Sequence, residues 1–274
     1  MTRVGGRWRV TRPWPARFRP FLHSYAGYWE EPGATPYRAR LVPTGRAVVV
    51  ISLGEPFSHV RRPGDPHSPV TGSLVVGLED GPRLCDHPGG QEAIRLELTP
   101  LGAYRLFAVP MRELTNRVVA LGDVLGPEAA ALAERMAATG DWATRFDLLD
   151  LALAARIERG PRPAPEVGHA WRLLSDTGGA IQVARIASEV GWSQGHLVRR
   201  FTEQVGLTPK TSARVLRFHR AVGLLTRVGT NPAGVTAACG FYDQAHLNRE
   251  FRALAGTTPV RMAAARVTEG ALSL

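Results

Sequence analysis

The sequence predicts an α+β multidomain chain, with an antiparallel β-barrel and added helices first and an all-α part after it. Three observations support this fold class. Short apolar runs separated by glycine and proline fill residues 21–110, which is typical of antiparallel strands. Helical periodicity replaces them from about residue 111 onwards. Between Val183 and Pro259, one pattern of two short helices joined by a glycine turn occurs twice.

The first twenty residues are rich in arginine, proline and tryptophan and show no periodicity. We expect an arm whose aromatic side chains pack on the first domain. The alternative is that this basic arm contacts DNA.

Four strands are predicted from β-branched or alternating runs, over residues 37–42, 47–53, 73–78 and 93–98. The second of them is a continuous apolar run, which indicates a buried strand. In the last, apolar and polar residues alternate, so we expect one of its faces to be exposed to solvent.

Three helices are predicted after the strands. The first covers Glu113–Leu125, and the second begins at Pro127, a residue that suits the first helical turn, and ends near Gly140. The third, Trp142–Arg159, has an apolar stripe, formed by Phe146, Leu149, Leu153 and Ile157. Since a barrel does not need these helices, we expect the third to hold two copies of the chain together. The segment Gly160–Pro165 contains three prolines and predicts an extended linker.

The first copy of the repeated pattern ends at Phe201. Apolar residues at 183, 186, 187 and 190 have the spacing of a short amphipathic helix. Gly191 then suits a left-handed helix end, and the Ser193 hydroxyl can cap the next helix. In that helix Leu197 and Phe201 face inward. The outward face consists of Gly195, Val198, Arg199 and Thr202.

The second copy, residues 234–251, repeats these features. Gly240 corresponds to Gly191, and the second helices match at an offset of 50 residues, as Arg249 does with Arg199. A turn sequence follows each copy, GLTP at 206–209 and GTTP at 256–259. We interpret the pattern as an internal duplication in constant register.

The stretch GFYDQAHLNREF at 240–251, followed by GTTP, resembles the signature of the AraC/XylS family of bacterial transcriptional regulators. Residues 217–225 resemble the linker helix of that family, and the likeness extends over about 165–266. Thr236 departs from the usual alanine, and Leu247 from a common aromatic residue. The β region is similar to the cupin-like sensor domain of the family.

The resemblance implies four segments: a cupin-like β sensor domain (1–110), a helical dimerisation part (111–160), a linker (161–167) and an AraC-type DNA-binding domain (168–268). It also implies a regulator that binds specific DNA sequences and answers to a small-molecule effector. The expected partners are double-stranded DNA, a second copy of the chain, an unidentified effector and RNA polymerase. We expect no cofactor, no membrane and a cytoplasmic location. A dimeric regulator without an effector is the alternative.

Ten residues on the two second helices are the predicted DNA contacts: Gln194, Gly195, His196, Val198, Arg199, Gln244, Ala245, His246, Asn248 and Arg249. Arginine can bind guanine, and asparagine or glutamine can bind adenine. The small and apolar positions allow close approach or contact with a thymine methyl group. The two histidines could contact phosphate or cap their helices, and the two arginines could merely be solvated. The matching positions of Arg199 and Arg249 favour DNA contact.

Charge supports this interpretation. The net charge is +10, and residues 161–274 contain 14 basic and 7 acidic residues, an excess of 7 in the shorter part of the chain. Such an excess suits a module that binds phosphates.

The main rival is a cupin-type enzyme fused to a DNA-binding module. His23, His59, His67 and His87 lie in the β region but lack tight ligand spacing, and we predict surface loops for the last three. Cys85 could be reactive, whereas Cys239 is expected in the core. We predict neither a metal site nor catalysis.

Overall fold

The structure is a computed structural model that describes residues 2–4, 7–31, 37–54, 59–61, 72–87, 89–226 and 232–263. Within these ranges an antiparallel β region precedes an all-helical region, which confirms the predicted fold class. No helix in the described part of the chain combines the length and apolarity needed to cross a membrane.

The strands form two antiparallel sheets. In chain order they are β1 (Thr2–Val4), β2 (Arg7–Val10), β3 (Leu22–Glu30), β4 (Tyr37–Leu41), β5 (Ala47–Ser52), β6 (His59–Arg61), β7 (Leu74–Val76), β8 (Arg83–His87), β9 (Glu92–Leu98) and β10 (Val118–Ala120). The larger sheet has the order β1-β2-β3-β9-β5-β7-β10, and the smaller has the order β4-β8-β6. The four predicted strands are therefore present. His59 and His87 lie within β6 and β8, so the prediction of loops for these two is wrong, and His67 lies outside the described residues.

The described helices are α1 (Pro100–Phe107), α2 (Leu121–Leu125), α3 (Pro127–Ala137), α4 (Trp142–Arg159), α5 (Pro165–Asp176), α6 (Val183–Glu189), α7 (Gln194–Val205), α8 (Pro209–Leu225), α9 (Pro232–Ala238) and α10 (Gln244–Ala255). Pro127 and Pro165 each occupy the first turn of their helix, where the missing N–H has no intrahelical partner to lose. Helix α5 begins inside the segment expected as a linker.

The predicted helix over Glu113–Leu125 is wrong. This stretch contains the end of a 3₁₀ turn, then β10, then the short α2. Asn116 has φ of 60°, which interrupts a right-handed helix, and its N–H donates to Leu78 O at 2.9 Å. Val118 and Val119 then pair with β7. β-branched residues suit such a ladder better than a helix, and the partner strand is distant in sequence.

Strand β9 lies in the middle of its sheet, between β3 and β5, and the predicted solvent-exposed face is wrong. On that face Ala93 is buried and Glu97 is only 6% exposed. The Glu97 carboxylate forms ion pairs with Arg95 at 2.7 Å and Arg46 at 3.3 Å. Burial alone would raise the pKa of Glu97, but these two arginine charges outweigh it and lower the pKa.

The N-terminal residues pack on the first domain, as expected for their aromatic side chains. Trp14 lies against the core, with its ring centroid 5.7 Å from that of Tyr25. Arg12 forms ion pairs with Asp147 at 2.7 Å and Asp150 at 2.6 Å on α4. The segment is more regular than predicted, because β1 and β2 extend the large sheet.

The apolar stripe of α4 contributes to the core of its own chain. Phe146, Leu149, Leu153 and Ile157 are all buried there. The stripe is therefore not available for a second copy, and the reason given above for dimerisation through it is wrong. The opposite face of α4 carries Leu151, which is 67% exposed.

Candidate nucleic-acid interface

The first unit consists of α6 and α7. Ile186 and Ala187 of α6 are buried, and Leu197 and Phe201 of α7 are fully buried, so the predicted apolar pattern is confirmed. Gly191 adopts φ of 70° in the turn between them, the left-handed region in which glycine has no steric cost. Ser193 Oγ accepts a hydrogen bond from His196 N at 3.3 Å and caps α7 as predicted.

The second unit, α9 and α10, has the same construction. Gly240 also has φ of 70°. Asp243 caps α10, since its Oδ1 accepts a hydrogen bond from His246 N at 2.6 Å. Leu247 and Phe251 are buried. Cys239 is buried as expected, and Cys85 of β8 is buried too.

The two units do not keep the constant register that the sequence suggested. In the turns, Trp192 N donates to Ala187 O and Phe241 N donates to Thr236 O, both at 3.0 Å, and these equivalent residues are 49 positions apart. The caps Ser193 and Asp243, however, are 50 positions apart. The offset of 50 thus holds only for the second helices. The turn of the second unit contains one additional residue, Tyr242.

Helix α8 joins the units and packs against both. Phe218 of α8 meets Phe251 of α10 edge-on, with ring centroids 4.8 Å apart. The Arg214 guanidinium forms an ion pair with Glu250 at 3.1 Å, which compensates an acidic charge on the second unit. Because both contacts join α8 to α10, the second unit has a defined orientation on the connecting helix.

The ten predicted contact residues fall into two groups, one at the N-terminal half of α7 and one at the same part of α10. The first group is exposed except for His196, and the second except for His246 and Asn248, these three being half-buried. Each group therefore presents polar side chains to solvent at the end of a helix that enters the major groove in helix–turn–helix proteins.

Arg199 and Arg249 differ in their surroundings. The Arg199 guanidinium donates to His196 Nδ1 at 3.1 Å, which restricts its orientation. Arg249 is exposed and has no ion-pair partner among the described residues. On the same helix the Asn248 amide donates to Gln244 O at 2.8 Å, so this donor is satisfied within α10 when DNA is absent.

The two histidines make structural contacts. His246 Nδ1 accepts a hydrogen bond from Tyr242 N at 3.3 Å, and its ring meets Phe241 edge-on with centroids 5.4 Å apart. The His196 ring makes the same kind of contact with Trp192, at 4.5 Å. The His246 side chain thus supports the turn before α10, whereas His196 Nδ1 is bonded to Arg199 of its own helix.

The N-terminal part of the chain contacts the C-terminal ends of both α7 and α10. Gly206, which ends α7 with φ of 101°, lies so close to the 3₁₀ turn at Met111–Glu113 that an added Cβ would be 3.2 Å from Met111 O. Arg40 of β4 donates to Gly256 O at 3.0 Å, at the end of α10. Neither contact has a local signal in the sequence, and sequence analysis missed both.

A buried polar group also lies between the sheet and α8. His219 is half-buried as a residue, but its Nδ1 atom is buried and has no hydrogen-bond partner among the described residues. Burial, followed by the charge of Arg46, lowers the pKa of His219 to about 4. His219 is therefore neutral at pH 7. No group of three or more residues suited to hold a metal ion occurs within the described ranges.

The geometry defines a helical domain with two helix–turn–helix units. A family model described as a helix-turn-helix domain matches residues 186–265. An uncharacterized HTH-type transcriptional regulator of Bacillus subtilis, YbfI, is 34% identical over 88 residues, which cover 32% of this chain and 32% of YbfI. The chain thus matches about a third of the length of that relative. Residues 186–265 are thus a helix-turn-helix domain.

Two solved structures are also similar. One is an AraC-type transcriptional regulator from Chromobacterium violaceum, with 28% identity, a TM-score of 0.35, and coverage of 38% of this chain and 94% of the other. The other is apo ToxT from Vibrio cholerae strain SCE256, with 11% identity, a TM-score of 0.47, and coverage of 93% and 98%.

Proposed function

We propose that this protein is a transcription regulator that binds a specific DNA site with α7 and α10. The observation that carries the proposal is the pair of capped helices whose polar N-terminal halves are exposed, both held by α8. A helix of this kind fits the major groove and presents its first turns to the base edges. The basic excess of the C-terminal part supplies attraction for the phosphates.

Each helix has a different capacity to read bases. On α10, Arg249 is free to form two hydrogen bonds with a guanine, and Gln244 and Asn248 have amides that suit adenine. On α7, Arg199 is the charged candidate and Gln194 the amide candidate, beside Gly195 and Val198. We therefore assign the stronger sequence preference to α10. We assign His196 and His246 a supporting role, because the first is bonded to Arg199 and the second to the turn before α10.

The spacing of the DNA site follows from the way in which α8 connects the two units. Because one helix joins them, α7 and α10 enter successive major grooves on one face of the duplex, about 34 Å apart. We expect two short blocks of preferred sequence separated by roughly one helical turn.

The N-terminal part is proposed to control this binding. Its contacts at the C-terminal ends of α7 and α10 support that role, because a change of shape there alters the positions of both helices. An unidentified small molecule that binds residues 1–160 is the proposed effector, and a homodimer through the same residues is the proposed assembly. RNA polymerase is the proposed further partner, in the cytoplasm where the DNA lies.

The test begins with wild-type protein at one fixed salt concentration. Binding-site selection from a random DNA pool, followed by titration of the selected duplex against a scrambled one, measures specificity. We expect the selected site to be bound at least roughly a thousandfold more tightly, the lower end of the range for specific regulators. Equal affinity for both duplexes would contradict the proposal.

A further inference from the structure

The turn of the second unit contains one residue more than that of the first, and this residue is Tyr242. Trp192 and Phe241 are equivalent, since each donates its N–H to the α6 or α9 carbonyl five residues earlier. Ser193 and Asp243 are equivalent as helix caps. Tyr242 stands between Phe241 and Asp243 and has no counterpart in the first unit.

The main chain of Tyr242 is fixed, while its side chain lies in solvent. Its N–H donates to His246 Nδ1 at 3.3 Å, which ties the turn to the first turn of α10. The residue is nevertheless 93% exposed, more than any other large hydrophobic residue in the described part of the chain. Packing against the described residues therefore does not account for the position of the phenol ring.

Its position relative to α10 indicates what the ring contacts. Tyr242 directly precedes the cap of a helix whose N-terminal end enters the groove, so the turn lies at the groove edge, where the sugar-phosphate backbone runs. Tyrosine hydroxyls are among the groups that donate to phosphate oxygens. The carboxylate of the next residue, Asp243, already accepts the hydrogen bond that caps α10.

We propose that Tyr242 is a DNA-backbone contact specific to the second unit: its hydroxyl donates to a phosphate and its ring covers the adjoining sugar. This inference rests on the proposed function. It makes α10 the anchoring helix, with a contact that α7 lacks. Because every nucleotide offers a sugar and a phosphate, the contact adds affinity without adding sequence preference.

The experiment compares Tyr242→Ala and Tyr242→Phe with wild-type full-length protein, on the selected duplex and on the scrambled one, over a range of salt concentrations. We expect Tyr242→Ala to weaken binding to both duplexes by roughly three- to tenfold, the range of one hydrogen bond with a packed ring. Tyr242→Phe should weaken binding about half as much as Tyr242→Ala does, on a logarithmic scale of affinity. The salt slope should not change, because no charge is removed.

Val260→Ala is the matched control, since Val260 is also exposed, at 64%, but lies beyond the opposite end of α10. It should bind as wild type does. Melting temperatures of all variants show whether they are folded. Affinity of Tyr242→Ala within twofold of wild type would overturn the inference, as would a changed base preference. Loss of transcription with intact DNA binding would assign Tyr242 to a protein partner and also overturn it. If wild type itself prefers no sequence, the proposed function fails instead.

Discussion

Replacement of Gly206 by alanine tests whether the N-terminal part is seated on the end of α7. Gly206 has φ of 101° and ψ of −48°, a conformation that L-residues rarely adopt. An added Cβ would lie 2.8 Å from Thr115 Oγ1 and 3.2 Å from Met111 O. Thr115 can change its rotamer, but the Met111 carbonyl belongs to the main chain and must shift.

Gly191→Ala provides the matched control. Gly191 also has positive φ, at 70°, but an added Cβ would have no neighbour within 4 Å among the described residues. We expect this variant to lose about 1–2 kcal/mol of the free energy of unfolding, the cost of a left-handed alanine. Gly206→Ala should lose this strain and about 1–3 kcal/mol more for the crowded contact.

Thermal unfolding of the full-length proteins measures the difference. At roughly 2–4 °C per kcal/mol for a domain of this size, the melting temperature of Gly206→Ala should fall about 2–12 °C further than that of Gly191→Ala. Limited proteolysis should also cut Gly206→Ala sooner in the segment 161–164. Equal losses in the two variants would show that the contact between α7 and Met111 does not contribute to stability.

Three further predictions follow from the same structure. Because the pKa of His219 falls from 6.5 to about 4 on folding, the unfolded chain binds the proton more readily; stability should therefore drop by up to about 3 kcal/mol as pH falls from 6.5 to 4. The charged or titratable groups around His219 are His23, Arg46 and Glu97. Chemical denaturation at several pH values should show a smaller drop in stability for His219→Gln than for wild type, and an identical pH profile would contradict this. Ser193→Ala should lose about 1 kcal/mol through loss of the α7 cap, and an unchanged urea midpoint would refute the cap. The fragment 165–274 should fold, because it contains its own apolar core around Phe218 and Phe251. It should melt at a lower temperature than the full chain, and a fragment without a cooperative transition would contradict this.

The helical part was predictable because its signals are local. The spacing of Leu197 and Phe201, the glycine of each turn and the cap Ser193 lie within a few residues of the structure that they specify. The same periodicity placed the candidate contact residues on outward faces. The register of the turns was missed because the offset of 50, correct for the second helices, was applied to the whole repeat, although Gly191 and Gly240 are 49 positions apart.

The β region was less predictable because its pairings join distant residues. The stretch around Val118 has helical neighbours in the sequence, yet its partner is β7, some forty residues earlier. The charged face of β9 suggested solvent, but Arg46 and Arg95 neutralise Glu97 where it is buried. Likewise, nothing near Arg40 in the sequence indicates that it donates to the end of α10.

The most direct test of the account is binding-site selection with wild type, Arg199→Ala and Arg249→Ala at the same salt concentration. Wild type should select two blocks about one helical turn apart. Each arginine variant should lose roughly 1–3 kcal/mol of discrimination in one block only, with the larger loss for Arg249→Ala. If both variants retain the wild-type preference in both blocks, these arginines do not read bases, and the assignment of α7 and α10 as reading helices is contradicted.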